Sequence, residues 1–232
     1  MINKTQIAFT LAEMLLTIFL IGVVAGIALP TLKDTSDKNA NIALVKKAYS
    51  NATNAFAQLQ AELGSPIYWM NPLDNKRVFT SGDSVGVASL FKRKITSQSF
   101  DDYDGATYLN GSASDSDAMK DPQYGSKISY SGNNTFRSSD GLYWFFSETY
   151  TGCQRSVQGQ TYDLCGLIMV DINGVKKPNR LGIDVFVFDI TTDGVVPHFS
   201  ETDDCNDMSG AGFTCSSKVI RGGEKSLDFI YE

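Results

Sequence analysis

Residues 9–32 read FTLAEMLLTIFLIGVVAGIALPTL and hold a single charge, Glu13, in an otherwise uncharged and largely apolar run. From Met14 to Leu32 there is no Asp, Glu, Lys or Arg, and about 20 such residues let an α-helix cross the hydrocarbon core of a bilayer. A carboxylate at membrane depth is costly unless it is paired. The run itself contains no Lys or Arg, so the partner has to come from elsewhere. The weaker alternative is a Glu13 that snorkels into the head-group layer. Lys4 precedes the run, and positive charge there keeps that end in the cytoplasm and places the rest of the chain outside. A secretory signal cut after Ala25 or Ala28 is the rival account, and a glutamate inside the apolar region counts against it.

The residues Ala8-Phe9-Thr10-Leu11-Ala12-Glu13, followed by MLLTIFLIGVVAGIALP, resemble the amino terminus of type IV prepilins and type II secretion pseudopilins. The resemblance covers roughly the first 64 residues. It departs from the family pattern at Ala8, where glycine is usual, and at Ala12, where a larger aliphatic is usual. It implies that residues 1–8 are a leader, that a prepilin peptidase cuts between Ala8 and Phe9, and that Phe9 is then N-methylated. It implies filament assembly through Phe9 and Glu13, and a helix kink at Pro30. The implied partners are other pilin or pseudopilin subunits, the peptidase, a membrane-embedded assembly platform, and lipid before assembly. The implied location is the inner membrane, single pass with the head outside, and then a periplasmic or cell-surface filament. Cleavage frees an α-amino group at Phe9, and this cation can pair with Glu13 of a neighbouring subunit. In a low-dielectric helix bundle such a pair offsets desolvation that either charge alone would leave uncompensated, and it sets the axial register between subunits.

Beyond the apolar run no break signal occurs until Gly64-Ser65-Pro66. Ile42, Val45, Tyr49, Ala52, Phe56, Leu59 and Leu63 follow spacings of three and four, one stripe of a helix. Lys46, Lys47, Asn51, Asn54, Gln58 and Glu62 fall off it. A single helix over residues 9–64 would extend about 80 Å at 1.5 Å per residue, far more than a bilayer needs, so its outer half must pack on something. A sheet in the same chain fits the stripe better than a free-standing coiled coil does. Pro30 removes one backbone donor, which favours a kink.

Residues 65–126 lose this periodicity and collect turn formers, with a short helix or strand expected over 89–96. Strands are expected over residues 127–131, 142–149, 167–172, 183–190, 195–199, 218–220 and 227–231. Asn173-Gly174 and Asp193-Gly194 supply turns. The fold class is therefore α+β: a long amino-terminal helix packed on an antiparallel sheet head, the pilin-like architecture that the resemblance implies. The expected divisions are 1–8, 9–64, 65–126 and 127–232. Four cysteines, Cys153, Cys165, Cys205 and Cys215, lie in the exported part. Even number and paired spacing favour two disulfides, most simply Cys153–Cys165 and Cys205–Cys215, out of three connectivities.

Composition excludes some functions. With 20 basic and 26 acidic residues the formal charge is −6, which argues against nucleic acid as the main partner. The single histidine, His198, sits beside Pro197 with no nucleophile motif near it, so a bland surface or half-buried role is expected and no enzyme is read. No C-x-x-C spacing supports zinc. No cofactor is expected. Asp171-Ile172-Asn173-Gly174 resembles the opening of a calcium loop but lacks the later acidic ligand; a hairpin turn is the main expectation, with calcium at Asp171 and Asn173 the weaker one. Asp101, Asp102, Asp104, Asp115 and Asp117 read as a solvated loop. Two functions stay in play: a filament subunit, and a monomeric membrane-anchored binding module.

Overall fold

The computed structural model describes residues 10–72, 74–79, 84–95, 134–157, 159–173, 181–198, 205 and 212–222; within these, the side chains of 27–36 are not described. The first element, α1 (Leu11–Leu63), is one helix of 53 residues. Its helical backbone runs through Pro30 without a break. It stops where the sequence expects: Gly64 takes φ 77° and its N–H bonds to Gln60 O, a conformation that suits a residue without Cβ. The indole N–H of Trp69 then donates to Gly64 O at 2.8 Å.

Among the described residues two further α-helices and seven strands follow: α2 (Ser84–Lys94), β1 (Thr135–Arg137), β2 (Tyr143–Thr149), β3 (Gln154–Val157), β4 (Gln160–Asp163), β5 (Gly166–Asp171), β6 (Val185–Ile190), β7 (Val195–Pro197) and α3 (Cys215–Gly222). The main sheet has the order β1-β2-β5-β6-β7 and is antiparallel throughout, while β3 and β4 form a separate hairpin. The fold is α+β with an antiparallel sheet, as expected.

The stripe on α1 packs as its spacing predicts. Ile42, Val45, Ala52, Phe56 and Leu59 are buried, joined by Ala48 and Ala55. Their small side chains let the helix approach the sheet closely, and Tyr49 stacks on Phe188 of β6 with ring centroids 5.7 Å apart. Leu63 departs from expectation and is exposed, because the chain turns away at Gly64. A run of aromatic contacts, Phe56 to Trp69, Trp69 to Phe91 and Phe91 to Phe146, ties α1 through α2 to β2. The helix α2 lies where a short helix or strand was expected over 89–96, but begins earlier. It buries Val87, Ala88, Leu90 and Phe91 and leaves Lys92 and Arg93 exposed in its last turn, where cations favour the helix dipole.

The central strands are buried on both faces. Phe186, Phe188 and Ile190 of β6 face the helices, whereas Val185 and Val187 join a second cluster with Phe145, Leu164, Leu167, Met169 and Leu181. An antiparallel sheet commonly leaves one face to water; here the density of β-branched and aromatic residues in 183–190 suits burial on both sides.

One strand assignment is corrected. Residues 218–220 belong to α3, not to a strand. Cys215 and Val219, four apart, form the buried side of that helix, and the disulfide fixes its first residue. The proposed strands 127–131 and 227–231, and the aspartates Asp101, Asp102, Asp104, Asp115 and Asp117, lie outside the described residues. Both disulfides pair as expected, Cys153 with Cys165 and Cys205 with Cys215. Gly212 also does what a tight disulfide loop asks: its φ is +80°, and a Cβ there would sit 2.3 Å from Leu181 O. Gly182 approaches as closely, since its Cβ would lie 2.5 Å from Cys215 Sγ.

Candidate functional site

The site that the sequence singles out is the amino-terminal part of α1. Its apolar side chains stand in the open: Leu11 is 81% exposed, Phe19 67% and Ile21 66%. Nothing in the described part of the chain covers them. Among the described residues no helix is long and apolar enough to cross a membrane. The apolar part with described side chains, residues 11–26, is 16 residues long, short of the about 20 that a span requires. Residues 27–32 of the expected span are helical, but their side chains are not described. Ala8 and Phe9 lie outside the described residues, and for Pro30 only the helical backbone is described.

Glu13 has a partner that periodicity and hydropathy did not reveal. Thr10 is the N-cap of α1: its Oγ1 accepts from the Glu13 N–H at 3.3 Å, while Glu13 Oε2 accepts from both the Thr10 N–H and the Thr10 hydroxyl at 2.9 Å. This reciprocal capping box satisfies donors that the first helical turn would otherwise leave unpaired. The signal was present in the sequence as Thr-x-x-Glu immediately before an apolar run. A glutamate here therefore has a local role in starting the helix.

The other site residues fall elsewhere and are not brought together. Asp171 and Asn173 lie at the end of β5, where the Asn173 N–H bonds to Asp171 Oδ1 at 3.0 Å and Asn173 Nδ2 donates to Asp184 Oδ2 at 3.2 Å. This local arrangement holds the chain at the end of β5. No group of three His, Cys, Asp or Glu able to hold a metal occurs among the described residues, and Gly174 lies outside them.

His198 differs from expectation: it is buried, with Nδ1 2.6 Å from Asp189 Oδ1. Its backbone N–H donates to Ser216 Oγ at 3.1 Å. Serine, histidine and aspartate thus meet, but the hydroxyl serves the main chain of His198. The trio fastens β7 to β6 and α3. Asp189 and His198 stand nine residues apart across the β6–β7 hairpin, so only the register of the sheet brings them together.

A polar cleft of about 260 Å³ lies between α1, the end of α2 and the β1–β2 turn, lined by Lys47, Asn54, Gln58, Lys94, Ser139 and Asp140 among others. Asp140 accepts from Asn51 Nδ2 at 3.0 Å and from the Ser138 hydroxyl, and lies 3.2 Å from Lys47 Nζ. Burial works to raise its pKa, but the hydrogen bonds from Ser138, Lys47 and Asn51 and the Lys47 charge prevail and hold the carboxyl below its ordinary value. These contacts fix the β1–β2 turn on the helix.

The chain matches no protein-family model, no curated protein and no solved structure.

Proposed function

We propose that this chain is a structural subunit of a type IV pilus or a type II secretion pseudopilus, processed by a prepilin peptidase and assembled into a helical filament. The observation that carries the proposal is the division of α1. One end is apolar and exposed, and the other is buried under an antiparallel sheet. Exposed aliphatic and aromatic side chains along several turns call for lipid or for neighbouring helices. A subunit that is first held in a membrane and then withdrawn into a fibre uses both in turn. In this proposal Ala8 and Phe9 flank the cleavage site, Phe9 carries the new amino group, and Glu13 of a neighbour pairs with it. The apolar run over residues 9–32 spans the inner membrane before assembly, and the head stands outside.

One observation favours the rival, a monomeric membrane-anchored binding module. The Glu13 carboxylate is already engaged by Thr10 of its own chain, which a plain anchor also needs at its helix start. Intact-mass measurement of protein extracted from membranes tests the processing step. The filament subunit should begin at N-methylated Phe9 and appear in sheared filaments. A mature terminus after Ala25 or Ala28 would overturn it.

A further inference from the structure

Lys47, Asn51, Asn54 and Gln58 follow spacings of four, three and four, a second stripe on α1 beside the apolar one. The structure gathers them along one wall of the cleft of about 260 Å³ between α1, the end of α2 and the β1–β2 turn. Asparagine inside a helix is a poor helix former, because its amide competes for the backbone. Asn51 has a structural reason to be there, the hydrogen bond from its Nδ2 to Asp140 at 3.0 Å. Asn54 does not: it is exposed, and its Nδ2 lies 3.5 Å from Ser50 Oγ, at the limit of a hydrogen bond. Gln58 and Ser139 are exposed as well, and among the described residues their side chains make no hydrogen bond.

The groups on the walls select the occupant. Both lysines at the cleft are matched by carboxylates, Lys47 with Asp140 at 3.2 Å and Lys94 with Glu62, so an anion would have to break a pair to gain a partner. The groups left over are neutral and both donate and accept, since amides and hydroxyls do each. The buried side chains of Ala55 and Ile95 give the same cleft an apolar portion. A ring with hydroxyls at its rim and C–H groups on its face matches that combination. The volume, just under the usual range for ligand pockets, suits one such ring.

We propose that this cleft binds a neutral saccharide, one pyranose ring with its C–H face on Ala55 and Ile95 and its hydroxyls on Asn54, Gln58 and Ser139. The site uses no residue of 9–32 and is independent of filament assembly.

The test uses the full chain in a detergent without a sugar head group, so that nothing in the solvent competes. The probes are methyl α-D-glucopyranoside, methyl β-D-galactopyranoside and N-acetylglucosamine, each at about 10 mM so that a millimolar site is occupied. Saturation-transfer NMR should show transfer to at least one of them, strongest at the ring C–H protons. Gln58→Ala and Ser139→Ala should each weaken binding of that sugar several-fold, with both disulfides and the urea midpoint kept. Asn54→Ala should weaken binding too, yet raise the midpoint slightly, because alanine is the better helix former. Inorganic phosphate at the same concentration should not displace the sugar. The proposal is overturned by no transfer to any of the probes, by transfer that any of the variants leaves unchanged, by a lowered midpoint in Asn54→Ala, or by displacement with phosphate.

Discussion

The two ends of α1 share one continuous helical backbone and have opposite surroundings. At the head end Val45, Ala48 and Ala52 are sealed against the sheet; at the amino-terminal end Leu15, Leu16 and Leu20 are more than half exposed. Backbone hydrogen bonds within a helix are local and carry it across both regions. Burial depends on what lies alongside, and only the head end has a sheet and two helices beside it. The head end is thus complete within one chain, whereas the other end has an apolar surface still to be covered.

The largest expected effect separates assembly from folding at one residue. Glu13→Gln removes the charge but keeps the cap, since glutamine serves as well as glutamate at this position of a capping box. The head should fold and both disulfides form, yet entry into the proposed filament should fall sharply, because breaking the proposed Phe9–Glu13 pair would cost about 3–5 kcal/mol at each subunit contact. Comparing sheared filaments with membranes from wild-type and variant cells measures this. Equal incorporation would mean that Glu13 is not an assembly residue and that the cap alone accounts for it.

Next in size is a matched pair of truncations. Phe56→Ala should destabilise the head by about 3–5 kcal/mol. Phe19→Ala, at an exposed position of the same helix, should change head stability by no more than about 0.5 kcal/mol. Urea unfolding of the full chain in detergent, followed by tryptophan fluorescence from Trp69 and Trp144, reads both. Equal losses would erase the distinction between the two ends.

The disulfides come third. Replacing Cys153 and Cys165 together with serine, or Cys205 and Cys215, should each cost about 2–4 kcal/mol. The first replacement should chiefly loosen β3–β4, whereas the second should also loosen α3 and the close contact at Gly182. Hydrogen exchange of the two segments distinguishes them.

The smallest effect is a pH dependence at the head end. The folded state holds the Asp140 carboxyl below its ordinary pKa, so the unfolded chain binds this proton first as the pH falls. Its contribution is therefore complete above the ordinary carboxylate value of about 4 and declines as the pH drops toward the folded value. Asp140→Asn should flatten the acid limb of the stability curve slightly, and leave stability near neutral pH lower by a small amount. Urea midpoints measured between neutral and acid pH give the comparison.

Several of these features were legible before the structure. The three-and-four spacing from Ile42 to Leu59 located the packing face of α1, because helix geometry repeats along one element. Asp193-Gly194 marked the β6–β7 turn, where the Thr191 N–H bonds to Gly194 O at 2.8 Å. Other features were not legible. The Gly86 and β-branched residues of α2 are poor helix formers, and their burial against α1 and β2 outweighs that preference. The hairpin β3–β4 has little hydrophobic alternation, since most of its residues face water. Val219-Ile220 suggested a strand from local preference, but packing of Val219 beside Cys215 made it part of a helix.

By itself the sequence determined whatever depends on neighbours along the chain: the apolar run with its one carboxylate, the helix stop at Gly64, the amphipathic stripe, the Asp193-Gly194 turn, and the pairing of nearby cysteines. Tertiary structure alone decided what depends on residues far apart or on competition between environments. It set Asp140 against Lys47 and Asn51, buried the central strands on both faces, and turned 218–220 into helix. The physical reason is range. Backbone geometry and capping act over three or four residues, whereas burial is shared among elements whose mutual approach no local spacing specifies.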